Sequence, residues 1–177
     1  MKIKREYIAV PVLIVLGALF GVLAKAGDTA VQGSAAGNLL RSFGTVSTGM
    51  FIWAAVCTVI AASSKNKIQA GANVFLFLSA MIAAYYLYSH FVTDYLALRE
   101  VKFWLLMLMP SAVLGFAVWH IQTSRLLKYT VSVLGTAVMI YDMYNLLLGS
   151  LPEAKIMLAV LYAVFLAFMR PKRGSRT

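Results

Sequence analysis

Hydrophobic and polar residues alternate along this chain on the scale of whole segments. Six apolar runs are separated by short stretches rich in Lys, Arg, Ser and Asn. A run of about 20 apolar residues is long enough to cross a bilayer as a helix. The pattern predicts an all-α polytopic membrane protein, one domain over residues 1–177, with helices at about residues 7–24, 43–62, 70–92, 101–120, 128–150 and 154–169.

Composition supports this class and bears on partners. The chain is 62% hydrophobic and 12% charged, against about 25% charged residues in soluble domains. Its net charge of +10 comes from basic residues grouped at segment ends, whereas nucleic-acid binding uses a basic face with interleaved aromatics. We therefore expect a lipid bilayer, that of the cell (plasma) membrane, as the surroundings, and no nucleic acid as a partner.

The distribution of basic residues also predicts an orientation. Most of the 16 Lys and Arg lie in the N-terminal head, the second and fourth connections and the C-terminal tail. Because Lys and Arg accumulate on the cytoplasmic side of membrane proteins, both termini are predicted to be cytoplasmic. The first segment and the small-residue triplet after it also have the pattern of a signal peptide, so cleavage stays an alternative to a first spanning helix.

Two glycines on the first segment, Gly17 and Gly21, have the GxxxG spacing that lets another helix approach closely. The spacing is compatible with a contact inside the chain and with a face that docks a partner. The polar connection that follows, residues 25–42, is rich in Gly, Ala and Ser and is predicted to lie in the interface or to fold back as a lid.

The fifth segment carries Asp142, the only acid that the segmentation places at membrane depth. On a helix it shares one stripe with Ser132, Gly135, Asn145 and Gly149. A carboxylate in a spanning helix costs about 2.5–3.5 kcal/mol on insertion scales, so it is expected to face the bundle interior or a wet cavity. A functional site and a structural hydrogen bond or ion pair are both compatible with it.

With the predicted orientation, polar and aromatic side chains of three segments come together in the outer half of the membrane. Aromatic rings with a few fixed polar groups are typical of a small-solute pocket, although rings near helix ends also form interfacial belts. The candidate ligand-binding residues are Asp142, Asn145, Tyr141, Tyr144, Tyr86, His90, Thr45 and Thr48.

Enzyme chemistry is not indicated. The sequence has no paired-histidine metal motif, no GxSxG and no glycine-rich phosphate loop, and a membrane aspartyl enzyme would need a second carboxylate at depth. The single cysteine, Cys57, can form neither an intrachain disulfide nor a thiolate cluster. We expect no catalytic residues, no metal and no cofactor.

The whole plan resembles the substrate-binding S components of energy-coupling factor transporters. The matching features are Gly17 and Gly21, the connection 25–42 and the outward polar cluster. The resemblance implies six helices with cytoplasmic ends, a pocket capped by the first connection, and docking of a transmembrane coupling subunit through small residues of the first helices. The chain is also similar to small bacterial integral membrane proteins of unassigned function.

Two functional hypotheses follow. The first is a small solute-binding membrane protein that captures its ligand from the outer face, as a subunit of a transporter, with the connection 25–42 as a gate. The second is a non-transporting accessory, immunity or assembly protein in which Asp142 is structural. A stand-alone exporter or channel is the remaining alternative.

Overall fold

The chain is all-helical wherever its structure is described. The computed structural model describes residues 10–94, 98–147 and 152–169, except for the side chain of Gln122. It contains α1 (Val10–Thr29), α2 (Ala35–Ser47), α3 (Met50–Ser63), α4 (Lys67–Thr93), α5 (Leu98–Val118), α6 (Arg125–Leu147) and α7 (Pro152–Met169), with a 3₁₀ turn, Trp119–Gln122, after α5. These ranges contain no strand, so the predicted all-α class is confirmed.

Five of the helices are long and apolar enough to span a membrane: α1, α4, α5 with its 3₁₀ extension, α6 and α7. The count rises to six when α2 and α3 are taken together as one bent span. Many large apolar side chains of these helices are exposed, as a lipid-facing surface requires. The architecture is therefore compatible with a helical membrane protein.

The second segment differs from its prediction. Residues 43–62 were expected to form one continuous helix, but the chain bends by 74° between α2 and α3. The helix α2 begins at Ala35, inside the predicted polar connection, because the Ser34 hydroxyl caps it by accepting the Gly37 N–H. It ends at Ser47, and Gly49 is extended (ψ 151°) before α3 begins.

The other six helices form an incomplete ring around α3. Around the ring, α5 packs against α4, α4 against α1, α1 against α2, α2 against α7 and α7 against α6. In the middle, α3 packs against α4, α5 and α6. One apolar core lies on the α1/α4/α5 side of α3 and another on its α6/α7 side. The ring is open between α5 and α6, which the 3₁₀ turn joins in sequence.

The glycine pair of α1 faces α4. A Cβ atom on Gly17 would overlap the carbonyl oxygen of Phe77, and one on Gly21 would overlap that of Met81. The close helix–helix approach predicted from the GxxxG spacing is therefore made inside the chain. α4 covers both positions, so this groove is filled within the chain, and the docking of a partner at Gly17 and Gly21 stays a prediction.

The predicted lid, residues 25–42, is largely helical and packs against its neighbours. Residues up to Thr29 belong to α1, and Gly27 meets α2 backbone to backbone, since a Cβ on Gly27 would lie 2.6 Å from the Gly44 nitrogen. The Arg41 guanidinium donates to the Asp28 carbonyl oxygen at 2.7 Å, and the Tyr85 hydroxyl donates to Asp28 Oδ2 at 2.5 Å. The contacts of Gly44 and Arg41 hold the second half of α2 against the end of α1, and the Tyr85 hydrogen bond holds the end of α1 against α4.

We expect Gly17→Ala and Gly21→Ala each to lower the free energy of unfolding by about 1–3 kcal/mol, because the added methyl group forces the backbones of α1 and α4 apart. Thermal unfolding in lipid nanodiscs measures the loss. Leu19→Ala is the control, since Leu19 lies on the exposed side of α1 (54% exposed) and its replacement should cost about 0.5 kcal/mol or less. Glycine variants as stable as this control would contradict the packing described.

Candidate functional site

Asp142 lies at the bend between α2 and α3. It is 7% exposed, and its Oδ2 accepts the backbone N–H of Phe51 at 2.7 Å. The two residues are on different helices, so this hydrogen bond fixes the start of α3 to α6. A buried carboxylate with a main-chain donor satisfies the expectation that an acid in an apolar helix faces the bundle interior.

The contact supplies what α3 lacks in its own sequence. The first N–H groups of a helix have no intrahelical acceptor, and a side-chain oxygen at the N-cap position usually accepts one of them. The N-cap here is Gly49, which makes no side-chain cap hydrogen bond. Asp142 replaces that cap from α6, with its carboxylate at the positive end of the α3 dipole.

Gly49 is the residue that makes room for this cap. A Cβ atom built on it would lie 2.7 Å from Asp142 Oδ2 and 3.2 Å from Asp142 Cγ. Neither Gly49 nor Phe51 was among the predicted site residues. The available signal was a glycine in a stretch rich in threonine and serine within an apolar segment, which is a common position for a break.

An open cleft of about 520 Å³ lies beside this cap, and we call it the polar cleft. It is bounded by the end of α2, the start of α3, the C-terminal part of α6 and one residue of α7. Its lining consists of Thr45, Val46, Thr48, Gly49, Met50, Tyr141, Asp142, Asn145, Leu146 and Leu158. Five of the eight predicted ligand-binding residues are therefore brought together: Thr45, Thr48, Tyr141, Asp142 and Asn145.

The other three predicted residues do not line this cleft. Tyr86 is buried in the core on the α4 side of α3, edge-to-face with Tyr85. His90 is exposed near the end of α4 beside Phe91, and Tyr144 is 61% exposed on α6. The prediction placed α4 beside the cleft, whereas α4 packs against α1, α3 and α5. Residues 25–42, the predicted gate, are also absent from the lining.

The polar cleft is rich in hydrogen-bond acceptors. Its described lining holds one carboxylate and no Lys, Arg or His. The hydroxyls of Thr45 and Thr48 donate to the carbonyl oxygens of Arg41 (2.9 Å) and Thr45 (2.8 Å), so their lone pairs are left to accept. Within the described ranges, Phe51 N–H is the one hydrogen-bond donor to Asp142. Such a surface favours a ligand with positive charge or several donors.

The geometry of the cleft supports a metal ion less than it supports an organic ligand. Among the residues that the structure describes, no group of three or more His, Cys, Asp and Glu side chains is placed to hold a metal ion. The remaining polar groups of the cleft are hydroxyls and one amide.

Three comparisons with known proteins give no further lead. No protein-family model, no curated protein and no solved structure matches this chain.

We expect Asp142→Ala to lower the free energy of unfolding by about 1.5–3 kcal/mol, because it leaves the Phe51 N–H buried without its charged acceptor. Asp142→Asn should cost less than about 1 kcal/mol, since an asparagine oxygen caps a helix as well as an aspartate oxygen does. Thermal unfolding in nanodiscs compares the two. Equal losses in both variants would show that charge, and not the cap hydrogen bond, stabilises α3.

Proposed function

We propose that this protein is an integral membrane protein that binds a small solute in the polar cleft. The observation that carries the proposal is a nearly buried carboxylate, Asp142, that lines a cleft without any basic side chain in its described lining. A carboxylate in low-dielectric surroundings is stabilised by an opposite charge or by further donors. The solute is therefore one that brings a positive charge or several N–H or O–H groups.

The arrangement of the cleft supports capture from the outer face. With both termini on the cytoplasmic side, α6 runs outward, and Asp142 falls in its outer half. Thr48, Tyr141 and Asn145 are exposed at the mouth of the cleft, so a solute reaches Asp142 without passing through the core. The cell membrane is the location that fits this role.

Transport driven by nucleotide hydrolysis would need a partner, because the sequence has no motif for binding nucleotide phosphates. A subunit that captures a solute and delivers it through a transmembrane coupling subunit accounts for this, as the resemblance to energy-coupling factor S components implies. Since α4 covers Gly17 and Gly21 within the chain, the docking of such a partner at this pair stays a prediction.

A specific observation also favours the second hypothesis. The Phe51 N–H donates to Asp142 Oδ2, so the carboxylate has a structural role that needs no ligand. In that case the protein is a non-transporting accessory, immunity or assembly protein, and the cleft is a consequence of the helix break.

Asp142→Asn separates the two proposals, because it retains a cap oxygen and removes the charge. We expect a thermal-shift screen of the full chain against small organic cations, amino acids, nucleobases and vitamins to give a stabilising ligand. A ligand at 100 times its Kd stabilises the folded state by about 2.7 kcal/mol, which a melt detects. The affinity for this ligand should be at least tenfold lower in Asp142→Asn than in the wild type.

His90→Gln is the control for this screen, since His90 is exposed and lies outside the cleft lining. Its ligand response should equal that of the wild type. A screen without a hit, or a hit that Asp142→Asn binds as well as the wild type does, would leave the structural role as the better account.

A further inference from the structure

A second cleft lies where the ring of helices is open, between α5 and α6. We call it the apolar slot. Its volume is about 470 Å³, and its floor is the central helix α3. Representative lining residues are Trp53 on α3, Trp104, Leu114 and Ala117 on α5, and Thr130 and Leu134 on α6. The lining is almost entirely hydrocarbon and aromatic.

The rim of the slot faces outward from the bundle. Leu114 is 63% exposed and Leu134 is 59% exposed, and both belong to helices long enough to span a membrane. An apolar cavity does not hold water well, because it offers too few hydrogen-bond partners. In a bilayer the slot therefore takes a hydrocarbon chain. Inside it, the stacked rings of Trp53 and Trp104 (5.8 Å between centroids) provide a flat apolar wall.

The apolar slot and the polar cleft adjoin each other. Met50, the first residue of α3, lines both. One face of α6 also runs through both, since positions 131, 135, 138, 142 and 145 follow helical spacings of three and four. The first three of these line the slot and the last two line the polar cleft. The two sites thus present an apolar half and an acidic half along the same helix face.

We propose that the two clefts bind one amphipathic molecule, a single-chain cation whose head group lies at Asp142 and whose alkyl chain lies in the apolar slot. The proposal rests on the proposed function and names the class of its solute. Charge complementarity at Asp142 sets the sign of the head group, because the described lining has no basic residue. The continuity at Met50 sets the position of the chain relative to the head.

The test uses the full chain in phosphatidylglycerol nanodiscs, so that no bilayer lipid carries a cationic head group. Two probes differ only in the chain: tetramethylammonium and dodecyltrimethylammonium, the latter below its micellar concentration. Dodecanol is the uncharged chain control. The Kd of each is obtained from the concentration dependence of the melting temperature. An ω-brominated undecyl analogue reports the location of the chain by quenching Trp53 and Trp104.

A slot-filling pair of substitutions tests the binding of the alkyl chain, a matched pair is its control, and Asp142→Asn tests the binding of the head group. Ala117→Phe with Thr130→Phe fills the slot, and Val113→Phe with Val133→Phe places the same rings on the same helices at exposed positions outside the slot lining. We expect the slot-filling pair to lower the affinity for dodecyltrimethylammonium at least tenfold and to leave the affinity for tetramethylammonium unchanged. The matched pair should change neither. Asp142→Asn should lower the affinity for both probes at least tenfold.

The outcomes distinguish this proposal from the one it rests on. If the long-chain probe binds no more tightly than tetramethylammonium, or if filling the slot has no effect, one amphipathic ligand is excluded while the solute-binding cleft stands. If dodecanol binds as tightly as the cation, the slot is a lipid site independent of Asp142, and the proposal is overturned. If neither cation stabilises the protein, the cationic solute of the proposed function fails as well.

Discussion

The hydrogen bond from the Phe51 N–H to Asp142 is the interaction on which the interior of this protein depends. It joins α6 to the start of α3, the helix around which the others are arranged. At about 1.5 Å per residue, the 14 residues of α3 extend about 21 Å, less than the roughly 30 Å of a bilayer core. A helix of this length leaves at least one end within the apolar region of a bilayer, where an uncapped N–H would have no water to bond, and at the start of α3 the Asp142 carboxylate supplies the acceptor.

The bend that makes the cap necessary also creates the polar cleft. Where α2 ends and α3 begins, Gly49 makes room for the carboxylate, and the hydroxyls of Thr45 and Thr48 donate to carbonyl oxygens of α2. Irregular backbone at membrane depth is tolerated only where it is covered by protein or lines a cavity. The backbone between α2 and α3 is partly covered by α6 and lines the polar cleft. The Asp142 carboxylate at this place therefore both stabilises the fold and gives the cleft its charge. The structural and the ligand-binding accounts of Asp142 thus describe the same geometry.

Much of the architecture could be predicted from the sequence, because long apolar runs have one stable outcome in a bilayer. The helical class follows from run length, and the grouping of Asp142, Tyr141 and Asn145 with Thr45 and Thr48 follows from the depth at which the predicted segment directions place these residues. The break at Thr48 and Gly49 does not, since it depends on a capping group 91 residues away. The position of α4 could not be predicted either: tyrosine is a common pocket residue, but the packing of α4 against α1, α3 and α5 places Tyr86 in the core.

The sequence separation between α3 and its cap has a consequence for biogenesis. During synthesis the chain enters the membrane from its N-terminal end, so α3 emerges before α6 exists. At about 5–20 residues per second, the 91 residues from Phe51 to Asp142 take roughly 5–20 s to make. For that interval the start of α3 lacks the Asp142 carboxylate, so its N–H groups need another acceptor, such as water, a lipid head group or the insertion machinery. The hydrogen bond that joins α3 to α6 in the mature bundle therefore forms late in synthesis, although α3 is one of the first helices to be translated.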